Sequence, residues 1–490
     1  AVVEAAREAV VEAARDAVVE TAGKARASSW PRYDTLFEFF LQRLADNDNV
    51  EQMESRLARL LSDAPRVTDA AYECLKSKCE DSATVISGLN VFRSIILERP
   101  GRDRGKSLSI VMSYSIHPDV LIRGPSIRLL ASELYESFRG SDLAEQIQNF
   151  SIKTARSTPT KEQASLECRI QLFLAVCAKN NDLLWELMEV YQSFDEEDKS
   201  IVLKHVEDLA KNLNRHSPSL LNIIRGTQPQ VSIPASTSES SDIVLQLVKS
   251  LPLEGMQKGG DEEFVKAVLY RFEASKDSRF LLPVVGLFDR ETVIRYLKNL
   301  VAVPESEGGF RAVLKKLLSS KHTDISPSDL LVELHLVDRE MTGREVPRKV
   351  VFASTQACFE MKAVFNQDTV ANSLHRLVEM NPLPLLLMRS VIESLVVHPK
   401  LRDFVLGLLR RLIEKEVWNT NHLWEGFLLC ARKTLPRSTR VLLTLPPEPL
   451  RDALSKSAPL RQALQKIIAQ PRISIPGWQS SIINESVQNG

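Results

Sequence analysis

This chain of 490 residues has little strand alternation, few aromatic residues (6%) and only six cysteines, and its 63 Lys plus Arg cancel against 63 Asp plus Glu. Each shortage removes a class of answer. Cys74, Cys79, Cys168, Cys177, Cys358 and Cys430 are scattered, mostly within apolar helical stretches, so they read as reduced thiols of cytosol or nucleus and not as a disulfide framework. Zero net charge argues against a dominant footprint for nucleic acid or an anionic membrane, while leaving room for a local basic patch. The first segment carries a charge about every fourth position, which is not the apolar core of a signal peptide. In PLPLLLMRSVIESLVVH (382–398) the unbroken apolar run ends at Met388, far short of the roughly 20 residues a membrane span requires.

Motifs that carry chemistry are scarce too. GRDRGKS (101–107) places three residues before Gly-Lys-Ser where a phosphate-cradling loop needs four, and a helical stretch precedes it, so it reads as a basic turn between helices. Cys74 and Cys79 have no second ligand pair nearby to complete a zinc site. The eight histidines stand apart from one another, and neither H-E-x-x-H nor a nucleophile elbow occurs. DEED (195–198) reads as solvated charge at a helix start. No catalytic residue, metal or cofactor is expected.

Helix periodicity fills the space these absences leave. From Tyr33 onward, apolar stretches of about 12–20 residues at a 3.6 period end at proline, glycine or short polar turns. Start signals recur: Ser326 before Pro327 and Asp329, Thr158 before Pro159, and Asn366. The starts at Pro327, Asp368 and Lys400 are 41 and 32 residues apart, near the period of roughly 40–47 residues of stacked helix pairs. The expected fold is therefore all-α, a HEAT-like helical-repeat superhelix. In 384–398, Arg389, Ser390, Glu393 and Ser394 share one narrow face, which predicts a helix buried on several sides with only that strip in water.

Composition divides the chain further. Residues 1–24 repeat AVVEAARE, AVVEAARD, AVVETAGK, and 1–30 read as an Ala-rich helical or low-complexity segment at the start of a piece of a longer protein. A helical half spans 31–227, a Ser/Thr/Pro-rich linker 228–242, a second helical region 243–470 with a loop at 338–350, and a tail 471–490. In EKEVWNTNHLWEGF (414–427), Trp418, Trp424 and Phe427 lie beside Arg410, Arg411 and Lys415, the aromatic and arginine mixture favoured at protein contacts. The competing reading wedges both indoles between helices. An RNA-stacking role ranks below both, because no basic stripe accompanies the rings.

Several long phrases carry a resemblance. PLPLLLMRSVIESLVVHPKL, FVLGLLRRLIEKEVW and LWEGFLLCARKTLPRSTRVLLTLPPEPL follow one another over 382–450, preceded by RFLLPVVGLFDRETVIRYLKNLV (279–301), PSDLLVELHLVD (327–338) and ASTQACFEMKAVFNQDTV (353–370). In this order they resemble the C-terminal region of the symplekin family. The likeness covers about 279–470, thins over 165–278 and does not reach 1–30. It implies a nuclear, non-enzymatic scaffold of pre-mRNA 3′-end cleavage and polyadenylation, serving histone pre-mRNA as well. The implied partners are the zinc endonuclease subunit of the cleavage and polyadenylation specificity factor and its inactive paralogue. Cleavage stimulation factor is a further candidate, RNA is met indirectly through the complex, and no membrane is involved. The alternative is an unrelated all-helical adaptor or transport solenoid.

Overall fold

The computed structural model describes residues 30–45, 50–157, 165–227, 241–252, 261–320, 323–340, 347–468 and 476–488. The 1–24 repeat, the Thr158-Pro159 start and most of the 228–242 stretch lie outside the described residues. Among those described, every regular element is helical. The chain divides into two units, Ala1–Leu253 and Glu254–Gly490.

The first unit contains α1 (Trp30–Ala45), α2 (Val50–Asp63), α3 (Asp69–Glu80), α4 (Val85–Glu98), α5 (Arg102–Tyr114) and α6 (Val120–Arg128). It continues through α7 (Asp142–Arg156), α8 (Leu166–Lys179), α9 (Leu184–Gln192), α10 (Glu196–Lys211), α11 (Pro218–Arg225) and α12 (Ser241–Ser250). Alternate helices touch: α2 meets α4, then α6, α8, α10 and α12 follow in the same row. Burial explains the alternation. Met53, Leu57 and Leu61 fall four residues apart on α2 and are all buried, so this helix offers one apolar stripe to its neighbours. On α4, Gly88 lets α3 approach closely, since a Cβ there would lie 2.7 Å from Cys79 Sγ. Arg99 then ties the row together, donating to the carbonyls of Leu61 (3.1 Å), Ser62 (3.2 Å) and Ala64 at the C-terminal end of α2, where cations suit the dipole.

The GRDRGKS segment is mostly helix, which corrects its reading as a turn. Gly101, at φ +80°, makes the reversal alone, and Arg102 already begins α5. Asp103 pairs with Arg99 at 2.8 Å, and Lys106 lies 4.0 Å from the centre of the Tyr72 ring while pairing with Asp69. Asp195, by contrast, caps α10 as expected, its carboxylate accepting from Asp198 N at 2.8 Å. The helix α12 starts at Ser241 and packs on α10 and α11, within the first unit.

The second unit runs through α13 (Glu262–Ser275), α14 (Leu281–Val284), α15 (Arg290–Val301), α16 (Gly309–Ser319), α17 (Pro327–Glu340), α18 (Arg348–Glu360) and α19 (Gln367–Glu379). Beyond these come α20 (Leu387–Val397), α21 (Arg402–Glu414), α22 (Asn421–Lys433), α23 (Thr439–Leu442), α24 (Pro447–Lys456), α25 (Ala458–Ile468) and α26 (Gly477–Gln488). Two rows form. One row is α15, α17, α19, α21 and α23, and the other is α16, α18, α20 and α22, each helix touching the next in its row. The start signals near Pro327, Asp368 and Lys400 thus mark three successive members of a single row, α17, α19 and α21, which is a helical-repeat arrangement. Ser326 and Asn366 cap as expected, accepting from Asp329 N (3.0 Å) and Thr369 N (2.9 Å). Full burial of one leucine in such rows contributes roughly 1.5–3 kcal/mol.

Two expectations change here. Helix α20 does meet α18, α19, α21 and α22, but its polar strip is only half wet: Arg389 is exposed and Glu393 half-buried, while the two serines turn inward. Ser390 and Ser394 are buried, whereas Val396 is 60% and Leu385 37% exposed. A serine hydroxyl satisfies itself inside the protein: Ser394 donates to the Val391 carbonyl at 2.7 Å, and the small side chain permits close packing. The 471–490 stretch, read as a tail, contributes α26, which packs on α24 and α25 with Ile482 and Ile483 buried. The Gln479 side chain donates to the Leu443 carbonyl at 2.7 Å. Within 338–350, α17 continues to Glu340 and α18 begins at Arg348, while 341–346 lie outside the described residues.

Candidate protein-contact face

The apolar side of α21 buries Val405, Leu408, Leu409, Leu412 and Ile413, which leaves Arg410 and Arg411 exposed on the other side. Arg411 Nη1 donates to Glu379 Oε1 at 2.6 Å and to His375 Nδ1 at 2.8 Å, so the ring nitrogen facing it is unprotonated. Lys415 Nζ donates to the carbonyls of Glu379 (2.9 Å) and Met380 (3.1 Å), closing the C-terminal end of α19. At Glu416 the chain turns with φ +51°, and Trp418 follows on a short 3-10 turn, half-buried. Arg410 and Arg411 thus lie on the exposed side of α21, and Lys415 and Trp418 follow at its C-terminal end and the turn that leaves it.

The remaining two aromatics point inward. Trp424 is 2% and Phe427 0% exposed, and their rings stack at 5.1 Å between centroids. Trp424 Nε1 donates to Asp452 Oδ2 at 2.6 Å, so the indole joins α22 to α24. Gly426 faces α20 so closely that a Cβ would meet Met388 Cβ at 2.5 Å. Of the six residues grouped by sequence, Arg410 and Arg411 are exposed and Lys415 and Trp418 half-buried, whereas Trp424 and Phe427 form a buried seam.

A second seam went unread in the sequence. His335, on α17, is fully buried; its Nδ1 lies 2.7 Å from the Leu331 carbonyl and its Nε2 2.8 Å from Ser390 Oγ on α20. A carbonyl only accepts, so Nδ1 carries the proton and Nε2 accepts from the serine hydroxyl. Burial pushes the His335 pKa down to about 4. Nearby, Ser373 Oγ and Ser328 Oγ lie 3.0 Å apart, and Asp329 pairs with Arg376 (2.8 Å) and Arg290 (3.5 Å). The Ser326 hydroxyl and these arginines hold the Asp329 carboxyl below the usual carboxylate range.

The thiols are poorly placed for reaction. Burial pushes Cys79 and Cys430 up to about 12 and Cys177 and Cys358 higher still, so none is a thiolate near neutral pH. Among the described residues, no group of three His, Cys, Asp or Glu side chains is placed to hold a metal ion. No described helix is long and apolar enough to cross a membrane.

Comparison with known proteins finds a match that includes Arg410, Arg411, Lys415 and Trp418. Residues 277–457, from α14 through α24, match the family model described as "Symplekin tight junction protein C terminal". This agrees with the resemblance carried by the 279–470 phrases and leaves residues 1–276 outside the match. A chain in "Homology model of the full-length AP-3 complex in an intermediate open conformation" is 10% identical, with 98% of this chain and 89% of that chain covered. Its TM-score of 0.28 is too low to relate the two arrangements.

Proposed function

We propose that this chain, with its symplekin-type C-terminal region, is a non-enzymatic scaffold of pre-mRNA 3′-end processing in the nucleus. Its second unit holds the zinc endonuclease subunit of the cleavage and polyadenylation specificity factor and that subunit's inactive paralogue, through the face of Arg410, Arg411, Lys415 and Trp418. The observation that carries this reading is the family match over 277–457, which covers the two rows from which that face projects. Two features support it. Arg411 and Lys415 are already oriented by Glu379 and by backbone carbonyls, and a half-buried indole follows them in the chain, so little side-chain entropy is lost when a partner arrives. Cys79, Cys177, Cys358 and Cys430 are held as thiols by burial, which fits a chain that grips and does not react.

Co-purification of the full chain with both subunits is the test. Retention of the pair by a folded chain is expected; loss of both would sink the proposal. The family's description also names tight junctions, so a junctional scaffold is the second reading. Imaging the tagged chain separates them, because nuclear signal favours the first and enrichment at cell borders the second.

A further inference from the structure

We propose that the second unit carries a further docking site, a basic edge that takes an Asp/Glu-rich segment of a partner protein. It is formed where three successive inter-helix turns stack: 361–366 before α19, 398–401 before α21 and 434–438 before α23. Two bonds tie the turns side by side. His398 Nε2 lies 2.9 Å from the Phe365 carbonyl, and Arg437 Nη1 donates to Asp403 Oδ1 at 2.6 Å. Because α19, α21 and α23 belong to one row, this is one continuous edge and not a scatter of surface charge.

Lys400, Arg402, Arg432, Lys433 and Arg440 lie along it, all exposed, and none of these side chains makes an ion pair or hydrogen bond within the described residues. The bordering acids are Glu360, Asp368 and Asp403; Arg311 occupies Glu360 at 2.9 Å and Arg437 occupies Asp403. The other end of the same rows is different in kind. Its turn 380–386, MNPLPLL, holds no charged side chain, and its next turn sets Glu414 and Glu416 around Lys415, which is committed to the carbonyls of α19. A chain with no net charge therefore gathers positive charge at one edge of one unit.

The turn is also held still. Ser438 Oγ donates to the Ala431 carbonyl (2.6 Å) and Thr434 Oγ1 to the Cys430 carbonyl (2.9 Å), with Thr434, Ser438 and Thr439 all buried. These hydroxyls close the C-terminal end of α22, so Arg432, Lys433, Arg437 and Arg440 project from a fixed frame. Three of the five unpaired cations are arginines, whose planar forks suit carboxylates in pairs. No aromatic ring is exposed on the three turns for bases to stack on, since Phe365 is fully buried. That favours an acidic peptide over single-stranded RNA, which relies on stacking as well as charge. The edge is separate from the Trp418 face and does not depend on it.

The test measures fluorescence anisotropy of the full chain with two labelled probes, an Asp/Glu-rich dodecapeptide and dodecauridine. Three proteins are compared: the unaltered chain, Arg432→Glu/Lys433→Glu, and the matched control Lys315→Glu/Lys349→Glu, whose exposed lysines lie elsewhere on the unit. The peptide is expected to bind in a salt-sensitive way, to weaken about tenfold in the edge variant and to be unaffected in the control. RNA is expected to bind at least about tenfold more weakly than the peptide. Arg402→Gln/Arg440→Gln, which adds no acid at a helix end, repeats the measurement if the first variant loses helicity by circular dichroism. Absence of peptide binding, equal loss in edge and control variants, or tighter RNA binding overturns the proposal.

Discussion

The second unit closes its two seams by different chemistry. Between α17 and α20 the join is polar, with His335 and Ser390 exchanging a buried hydrogen bond at 2.8 Å. Between α22 and α24 it is aromatic, with Trp424 stacked on Phe427 and its single N–H satisfied by Asp452. A polar seam costs desolvation and returns direction: every buried group must find a specific partner, so the register of the two helices is fixed. An aromatic seam returns area, and its strength depends on volume more than on angle. The first should therefore respond to protons and to single hydroxyls, the second to lost volume.

Trp424→Ala should break the comparison hardest. It removes a buried indole and leaves Asp452 without that donor, at a cost of about 3–5 kcal/mol. Chemical denaturation checks the magnitude. Hydrogen exchange should show α22 and α24 opening while α17 and α20 stay protected; equal loss in both seams would mean that they are one cooperative unit.

Acid should act on the other seam. The folded pKa of His335 lies at about 4, below its ordinary value of 6.5, so the unfolded chain binds the proton more readily. The stabilisation is fully present above about pH 6.5 and is lost as pH falls towards 4, by up to about 3 kcal/mol from this group. His335→Gln should flatten that part of the stability profile. Ser390→Ala is smaller, about 1–2 kcal/mol, because it orphans only the Nε2 acceptor. An unchanged acid profile in His335→Gln would assign the acid sensitivity to other groups.

The difference between the seams also explains what could be read in the sequence. Helix starts and their repeat were visible because caps are local: Ser326 and Asn366 mark them without reference to anything distant. The aromatic seam was half visible, since large rings among charges fit either a face or a wedge, and only burial separates Trp418 from Trp424. The polar seam was hidden. Ser390 and Ser394 look like water-facing residues on a helical wheel, and the partner that draws Ser390 inward lies 55 residues away on another helix. α26 was hidden for a related reason: the buried Ile482-Ile483 pair sits in an otherwise polar segment, too short an apolar stretch for a periodic signal, and the Gln479 bond to Leu443 is invisible to periodicity.

The smallest effect on stability is expected at Trp418, and it sharpens the distinction between seam and face. Its indole is half-buried on a short turn, anchored there by the buried neighbour Val417, so alanine should cost stability only about 0.5–1 kcal/mol. A contact residue behaves differently when a partner is added. Truncating an indole at the centre of an interface costs about 2 kcal/mol or more of affinity, a loss of roughly thirtyfold. Trp418→Ala should then stay folded with only a small downward shift in melting and release the endonuclease subunit and its paralogue in a pull-down. Trp424→Ala should lose both together. If Trp418→Ala retained its partners, the outward side of α21 would not be the gripping surface, and the other row of the same unit, α16, α18, α20 and α22, where Arg389 lies over the Phe352 ring, would be the next to mutate.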